Sequence, residues 1–410
     1  MSKKVGYVVR PLNRLIISAA VLLLSWTLAA FAQEENSFDT LDLELRESLA
    51  QQDEVDRVTG LRLGSFQVNP VLEAGIAHQD SETTKTLRGE LGIESQWSRH
   101  SLRLDTQVET ASRRGLTVSD WSAGATLTGR RDISERVNVT GELRLSHQGS
   151  DDEQDQTLYG TVGTLTVVPG PLEFTLRSSF DGQHVGDAVA GADTSNNFKE
   201  YGAQMRVAYR RNAVFSPFVQ ADYTRQDTGT ISNFNGDASR WELRTGLLID
   251  RGEKLSGEVS IGTGRINTND ASRDELSSLL WAASLVWSPV RLTTVSLDAS
   301  GSLDFNDTTN LAGTTMTSGV KNNSIALRAE RSFNYRLDGF FNTSISHEDY
   351  GDIDRTDRTF LVGAGLTYNL TPDSSLLGEV THERTSSAGI DQNEDDERSN
   401  GISLRYQLRK

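Results

Sequence analysis

From Gly60 to Asp80 the chain reads Gly-Leu-Arg-Leu-Gly-Ser-Phe-Gln-Val-Asn-Pro-Val-Leu-Glu-Ala-Gly-Ile-Ala-His-Gln-Asp. From Phe66 onward one set of alternate positions holds Phe66, Val68, Pro70, Leu72, Ala74 and Ile76, and the other holds Gln67, Asn69, Val71, Glu73, Gly75 and Ala77. A two-residue period with one apolar and one mostly polar face is the mark of a β-strand lying between two environments.

The same period returns to the end of the chain. Leu87, Gly89, Leu91, Ile93 and Trp97 oppose Arg88, Glu90, Gly92 and Glu94, and Leu102, Leu104 and Val108 oppose Arg103, Asp105 and Glu109. Val139, Leu143 and Leu145 stand against Glu142 and Arg144, and Trp241, Leu243 and Leu247 stand against Glu242 and Arg244. The last segment sets Ile402, Leu404, Tyr406 and Leu408 against Ser403, Arg405, Gln407 and Arg409. Counting gives about eighteen strands (16–18) of about 10 to 13 residues, a length that suits tilted strands crossing a bilayer.

The connections alternate in length. Those at 99–100, 131–135, 169–171, 211–212, 251–254, 288–289, 332–334 and 371–373 read as short turns. Those at 80–85, 149–156, 181–197, 227–238, 267–275, 304–322, 349–355 and 386–397 read as longer polar loops. Short turns at one end and long loops at the other predict an all-β fold, a single closed antiparallel transmembrane barrel over 61–410, with both termini in the periplasm and the long loops outside.

Lipid rather than a soluble core is the partner of the apolar face, because its aromatics gather near strand ends. Trp97, Tyr209, Trp287, Tyr368 and Tyr406 lie near short turns, and Trp121 and Trp241 near long loops; Trp281 joins the set of interface aromatics. Two such belts fit the two surfaces of a membrane. Unpaired strand edges in hydrocarbon cost several kcal/mol per group, so these strands must close on one another.

The opposite face carries Arg88, Glu90, Arg103, Asp105, Glu109, Glu142, Arg144, Arg177, Arg206, Glu242, Arg244, Arg328, Glu330 and Arg405. Charges of both signs are expensive in lipid and predict a wetted lumen along which a hydrophilic solute would pass. A lumen plugged by the same side chains is the alternative. Only Phe218 and Phe340 fall on this face as aromatics on which a sugar ring could stack.

Composition is consistent with this reading. Hydrophobic residues are 36% of the 410, and past the first thirty or so residues no run of about 18 apolar residues exists to form a transmembrane helix. Lys3, Lys4, Arg10 and Arg14, an apolar run from Leu15 to Ala30, and Ala30-Phe31-Ala32 predict a secretory leader cleaved after residue 32. Removing its four cations takes the formal net charge from -16 to -20, which disfavours nucleic acid as a partner. Residues 33–60 are polar and acidic and read as a flexible or weakly helical periplasmic arm. There is no cysteine, so stability rests on backbone pairing and packing.

No catalytic constellation is legible. The six histidines are scattered, and no cofactor motif sits in the strand–loop–helix setting that it needs. Asp151, Asp152 and Glu153, and Glu394, Asp395 and Asp396, are weak candidates for a divalent cation bridging lipopolysaccharide phosphates; they lack the spacing of a dedicated calcium loop.

The segment Leu61-Arg62-Leu63-Gly64-Ser65-Phe66, with Asn69-Pro70-Val71-Leu72-Glu73-Ala74-Gly75 after it, resembles the opening of a family of outer-membrane β-barrel porins associated with capsule and exopolysaccharide export. That resemblance implies a conduit for an exported polysaccharide. It also implies outer-membrane lipid, lipopolysaccharide, the barrel-insertion machinery and periplasmic export components as partners. A general or sugar-uptake porin and an adhesive or structural barrel are the other readings. The ending Tyr406-Gln407-Leu408-Arg409-Lys410 departs from the terminal aromatic common in such barrels.

Overall fold

A computed structural model of the chain describes residues 60–113, 120–150, 155–186, 197–210, 214–227, 230–231, 234–235, 237–269, 275–305, 319–351, 355–389 and 395–410. The residues expected to form the leader and the arm, to residue 59, and Asp151, Asp152, Glu153 and Glu394 lie outside them.

Alternation of apolar and polar residues with few helix-forming runs yields strands throughout. In order they are β1 (Leu61–Leu63), β2 (Phe66–Gln79), β3 (Glu82–Ser95), β4 (His100–Ser112), β5 (Asp120–Ser134), β6 (Val137–Ser150) and β7 (Gln156–Val167). There follow β8 (Leu172–Val185), β9 (Phe198–Tyr209), β10 (Phe215–Asp227), a small loop ladder of β11 (Thr230–Ile231) and β12 (Phe234–Asn235), β13 (Ala238–Asp250) and β14 (Leu255–Thr268). The chain ends with β15 (Leu276–Val290), β16 (Thr293–Asp304), β17 (Val320–Asn334), β18 (Leu337–Tyr350), β19 (Arg355–Thr371), β20 (Ser374–Gly389) and β21 (Asp395–Arg409). Each long strand pairs antiparallel with the next, β10 with β13, and β21 returns to β2 to close an 18-stranded barrel.

The closing seam accounts for the odd residues of the first strand. Ladder pairs run from Val71↔Arg409 to Gln79↔Gly401, and below them β1 folds back on Phe66–Val68 and continues the edge of β2 where β21 stops. Pro70 sits at that junction, and its carbonyl accepts the Lys410 amide at 3.2 Å. In an antiparallel strand the N–H and C=O of one residue point the same way, so the donor that proline lacks would have pointed into the gap between β21 and β1. At the other rim the Asp80 carboxylate accepts the Asn400 amide at 2.9 Å. Its bonds to Ser399 and to that amide hold the Asp80 carboxyl below its usual value. This tie is therefore intact at neutral pH and is lost as acid protonates the carboxylate.

The two rims differ as expected, with corrections. Connections at 96–99, 135–136, 168–171, 291–292, 335–336 and 372–373 are short. Most on the far rim are longer, but 80–81 is a two-residue turn with both residues at positive φ, not the loop expected over 80–85. The strands are also longer than expected, 12 to 17 residues in the barrel, because they run on into segments read as loop at 149–156, 349–355 and 386–397. About 9–11 residues suffice to cross hydrocarbon. The wall therefore extends well past the apolar band.

Leu72, Ile76, Leu145, Leu176, Leu243, Ile261, Ile345, Val380 and Leu404 are exposed on the outer face. One inner region breaks the polar rule: Ala238, Ile266, Leu276, Leu280 and Leu303 form a buried cluster with Phe305 against it. Pairing of β15 with β16 stops at Trp281↔Gly301, and beyond it the end of β16 leans inward, placing Leu303 by Leu280 and Gly264. The Arg240 guanidinium holds the Leu303 carbonyl there.

Adjacent residues on opposite faces test the assignment of inside and outside. Ile345→Lys should destabilise the folded barrel by up to about 2–4 kcal/mol, the cost of a cation on the lipid face near midplane, whereas Ser346→Lys on the inner face should cost far less. Urea unfolding in lipid vesicles measures both; equal costs would refute the assignment.

Candidate functional site

The inner wall is built by side-chain alternation, and it brings together residues far apart in sequence. Arg88, Glu90, Arg103, Asp105, Glu109, Glu142, Arg144, Arg177, Arg206, Glu242, Arg244, Arg328, Glu330 and Arg405 all fall on the strand face turned to the barrel interior. They do not form one site. They form several clusters that differ in burial.

The most buried cluster lines β9, β10, β13 and β14. The Arg206 guanidinium donates to both Glu258 oxygens, at 2.9 and 3.2 Å, and through Nε to Gln220 at 2.7 Å. Gln220 in turn donates to Asp222, which also accepts from Gln204 at 2.8 Å. Alongside, Glu242 lies between Arg244 at 2.6 Å and Arg240 at 3.3 Å, and Arg240 reaches Asp304 at 3.4 Å. Arg206, Glu242, Arg244 and Glu258 are each 5% exposed or less. Paired charges at such burial brace the wall and leave few donors for a passing solute.

The second cluster crosses the closing seam. Arg405 on β21 pairs with Glu379 at 2.7 Å and with Glu73 at 3.9 Å, while Arg88 pairs with Glu90 at 2.6 Å, donates to Gln107 and approaches Glu109 at 4.0 Å. Arg144 bridges Glu142 and Asp181, and Arg177 also acts on Asp181. Arg103 with Asp105 and Arg328 with Glu330 are more open, the latter pair 52% exposed at both side chains. The wall therefore has a dry, braced side and a wetter side with accessible ion pairs.

One spacing recurs among the pairs. Arg88 and Glu90, Arg103 and Asp105, Arg130 and Asp132, Glu142 and Arg144, Glu242 and Arg244, Arg328 and Glu330, and Arg355 and Asp357 are two residues apart on one strand. Successive same-face side chains stand close enough to bond, so opposite charges two residues apart on one strand are the signal that would have revealed the pairs in advance.

The two inner aromatics singled out from the sequence are covered. Phe218 lies over Gly246, directly across the ladder, with the Arg206 guanidinium 4.2 Å from its ring centre. Phe340 lies over Gly365 with Arg328 at 5.0 Å. A Cβ on either glycine would strike the ring, so glycine is what lets these phenyls lie flat. Each ring thus has one face on backbone and the other on a cation. Phe305 under Arg240 and Tyr350 under Arg355 repeat the cation contact at the long-loop rim, and neither was anticipated from sequence. Tyr350 also donates to Glu348 at 3.0 Å.

The remaining assigned residues are placed as follows. On the outer face, Trp97, Tyr209, Trp287, Tyr368 and Tyr406 stand near the short-turn rim, with Trp97 edge-on to Phe66 at 5.7 Å. Trp121 and Trp241 stand near the long-loop rim. Trp281 departs from both, being the sixth residue of β15 and lying against Gly301. No group of three or more His, Cys, Asp or Glu placed to hold a metal occurs among the described residues. Asp395 opens β21, and Asp396 is held by Arg384 at 2.7 Å and Arg398 at 2.9 Å, which engages the oxygens that a cation would need.

Comparison with known proteins follows the geometry. The profile of the family described as "Putative beta-barrel porin 2" matches residues 57–408. No curated protein matches the sequence. Among solved structures, the outer membrane protein opdK from Pseudomonas aeruginosa aligns with TM-score 0.46 and 14% identity over 85% of this chain and 100% of that one. The siderophore receptor PirA from the same organism aligns with TM-score 0.44 and 8% identity over 83% and 80%. The alcaligin receptor FauA from Bordetella pertussis gives TM-score 0.43 and 11% identity over 86% and 77%.

The difference between the two sides of the wall is measurable. Arg206→Ala strands the Glu258 carboxylate in a buried site and should cost about 3–5 kcal/mol, whereas Arg328→Ala, at an exposed pair, should cost below about 1 kcal/mol. Unfolding midpoints in vesicles distinguish them; similar losses would mean that the dry side is hydrated.

Proposed function

Because the chain belongs to this β-barrel porin family and forms an 18-stranded outer-membrane barrel, we propose that it is a conduit for an exported polysaccharide, its short turns periplasmic and its long loops outside. The observation that carries the hydrated-channel reading is the inner wall itself. Ion pairs of both signs recur along it, and Phe218 and Phe340 are sandwiched between glycine and guanidinium. A pore selecting small sugars by ring stacking needs bare aromatic faces, and these two are taken. A hydroxyl-rich polymer needs instead a dense sequence of donors and acceptors that exchange for water without holding any one unit tightly. Arg88, Glu90, Arg103, Asp105, Arg328 and Glu330 supply that on the wetter side. The step is passage, with no bond made or broken.

Deleting the gene should abolish surface polysaccharide and leave uptake of small sugars unchanged. Lost uptake with normal polymer would instead establish a diffusion porin, and absence of conductance in planar bilayers with both phenotypes normal would leave a structural barrel. Orientation has its own test. The chain has no cysteine, so Asp155→Cys on the long-loop rim should react with an impermeant maleimide on intact cells, and Asp373→Cys in a short turn should not.

A further inference from the structure

The outer face of β19–β21 at the long-loop rim carries charge that neither the channel nor the fold uses. Arg358, Arg384 and Arg398 point outward there, on three adjacent strands. Arg384 and Arg398 are directly opposed across the β20–β21 ladder, 51% and 59% exposed, and share the single carboxylate of Asp396. Among the described residues Arg358 meets no acid; its Nε donates to His347 at 3.4 Å. On the neighbouring strands the outward Lys321 is opposed by Asp349. Among the described acids of these strands, Asp357, Glu383 and Glu397 lie on the inner side of the wall.

Two other outward arginines of this rim are arranged differently. Outward Arg225 has Asp237 and outward Arg265 has Glu275, one carboxylate for each cation. Only at β19–β21, among the described outer-face clusters, do two guanidiniums share one acid with a third guanidinium, that of Arg358, on the adjacent strand. Like charges facing each other across a ladder repel, so an arrangement of this kind suits a further anion. The apolar band starts at once beneath it: Phe360 is the cross-strand partner of Arg384, and Ile345, Val380 and Ile402 below are each more than half exposed. Cations bordering a greasy wall on its outward side match a ligand that is anionic at its head and aliphatic below.

From this juxtaposition we propose that the outer face of β19–β21 binds a phosphorylated glycolipid of the outer leaflet, with phosphate on Arg358, Arg384 and Arg398 and acyl chains on Phe360, Val380 and Ile402. The planar fork of arginine fits phosphate oxygens two at a time, and a strongly charged head at the edge of hydrocarbon strengthens the bond. The inference rests on the long-loop rim facing outward, as in the proposed function, and is independent of what passes through the lumen.

The test is binding of diphosphoryl lipid A to the full-length barrel in detergent, followed by native mass spectrometry. Arg358→Gln, Arg384→Gln and Arg398→Gln together should lower affinity at least tenfold, the corresponding three lysine substitutions should retain most of it, and Arg225→Gln with Arg265→Gln should leave it unchanged. Heat-modified electrophoretic migration reports that each variant is folded. Unchanged binding in the triple glutamine variant, equal binding of dephosphorylated lipid A, or equally tight binding of inorganic phosphate would each overturn the proposal. Maleimide reaction of Asp155→Cys only from the periplasm, with lipid A binding intact, would overturn the orientation and the outer-leaflet assignment while leaving the anion site standing.

Discussion

Every backbone N–H and C=O that enters hydrocarbon must find a partner within the protein, because lipid offers none and each orphan costs several kcal/mol. That constraint governs this molecule at the seam where β21 meets β2. The register of the last strand leaves the start of β2 uncovered, its ladder ending at Val71↔Arg409, and that part of the edge is met by β1, a three-residue strand folded back on Phe66–Val68. Pro70 occupies the one register position where a missing donor has little consequence, and the Asp80–Asn400 tie closes the opposite rim. The first and last strands of the sequence thus depend on each other for satisfied backbone.

Once the wall is closed, its two faces answer to different solvents. Outside, apolar side chains stand exposed on every barrel strand but β16, and inside, charges are held by one another. Pairing charges two residues apart on one strand requires no long-range folding event. The longer reaches, Arg206 to Glu258 and Arg240 to Asp304, tie together strands that are not neighbours and stiffen one side of the interior. This division leaves the other side, from β2 to β8 and around β17, as the part of the wall that water and solute can reach.

The long-loop rim is where the simple alternation fails, and each failure has a local cause. Strands overrun the width of the hydrocarbon, so outward positions there meet water and headgroups and carry Arg225, Arg265, Arg384 and Arg398 instead of leucine. The end of β16 leaves β15 and turns inward, which buries Leu303 on Leu280 and makes a dry patch inside an otherwise polar cylinder. Arg240 joins the two regimes, bonding the Leu303 carbonyl, pairing with Glu242 and Asp304, and covering Phe305.

By itself the sequence determined the strand period, the closed all-β class and the parity of the inner and outer residues, since all three follow from the alternation of side chains along one strand. The number of strands near eighteen was legible for the same reason. What only the tertiary structure decided was what each residue meets across strands: that Phe218 and Phe340 are capped by arginines from neighbouring strands, that Tyr350 and Phe305 face inward under cations, and that Arg384 and Arg398 confront each other. Register and the inward lean of β16 set those meetings, and register depends on turn lengths and bulges at 132–134, 287–290, 332–334 and 369–371 that alternation cannot reveal.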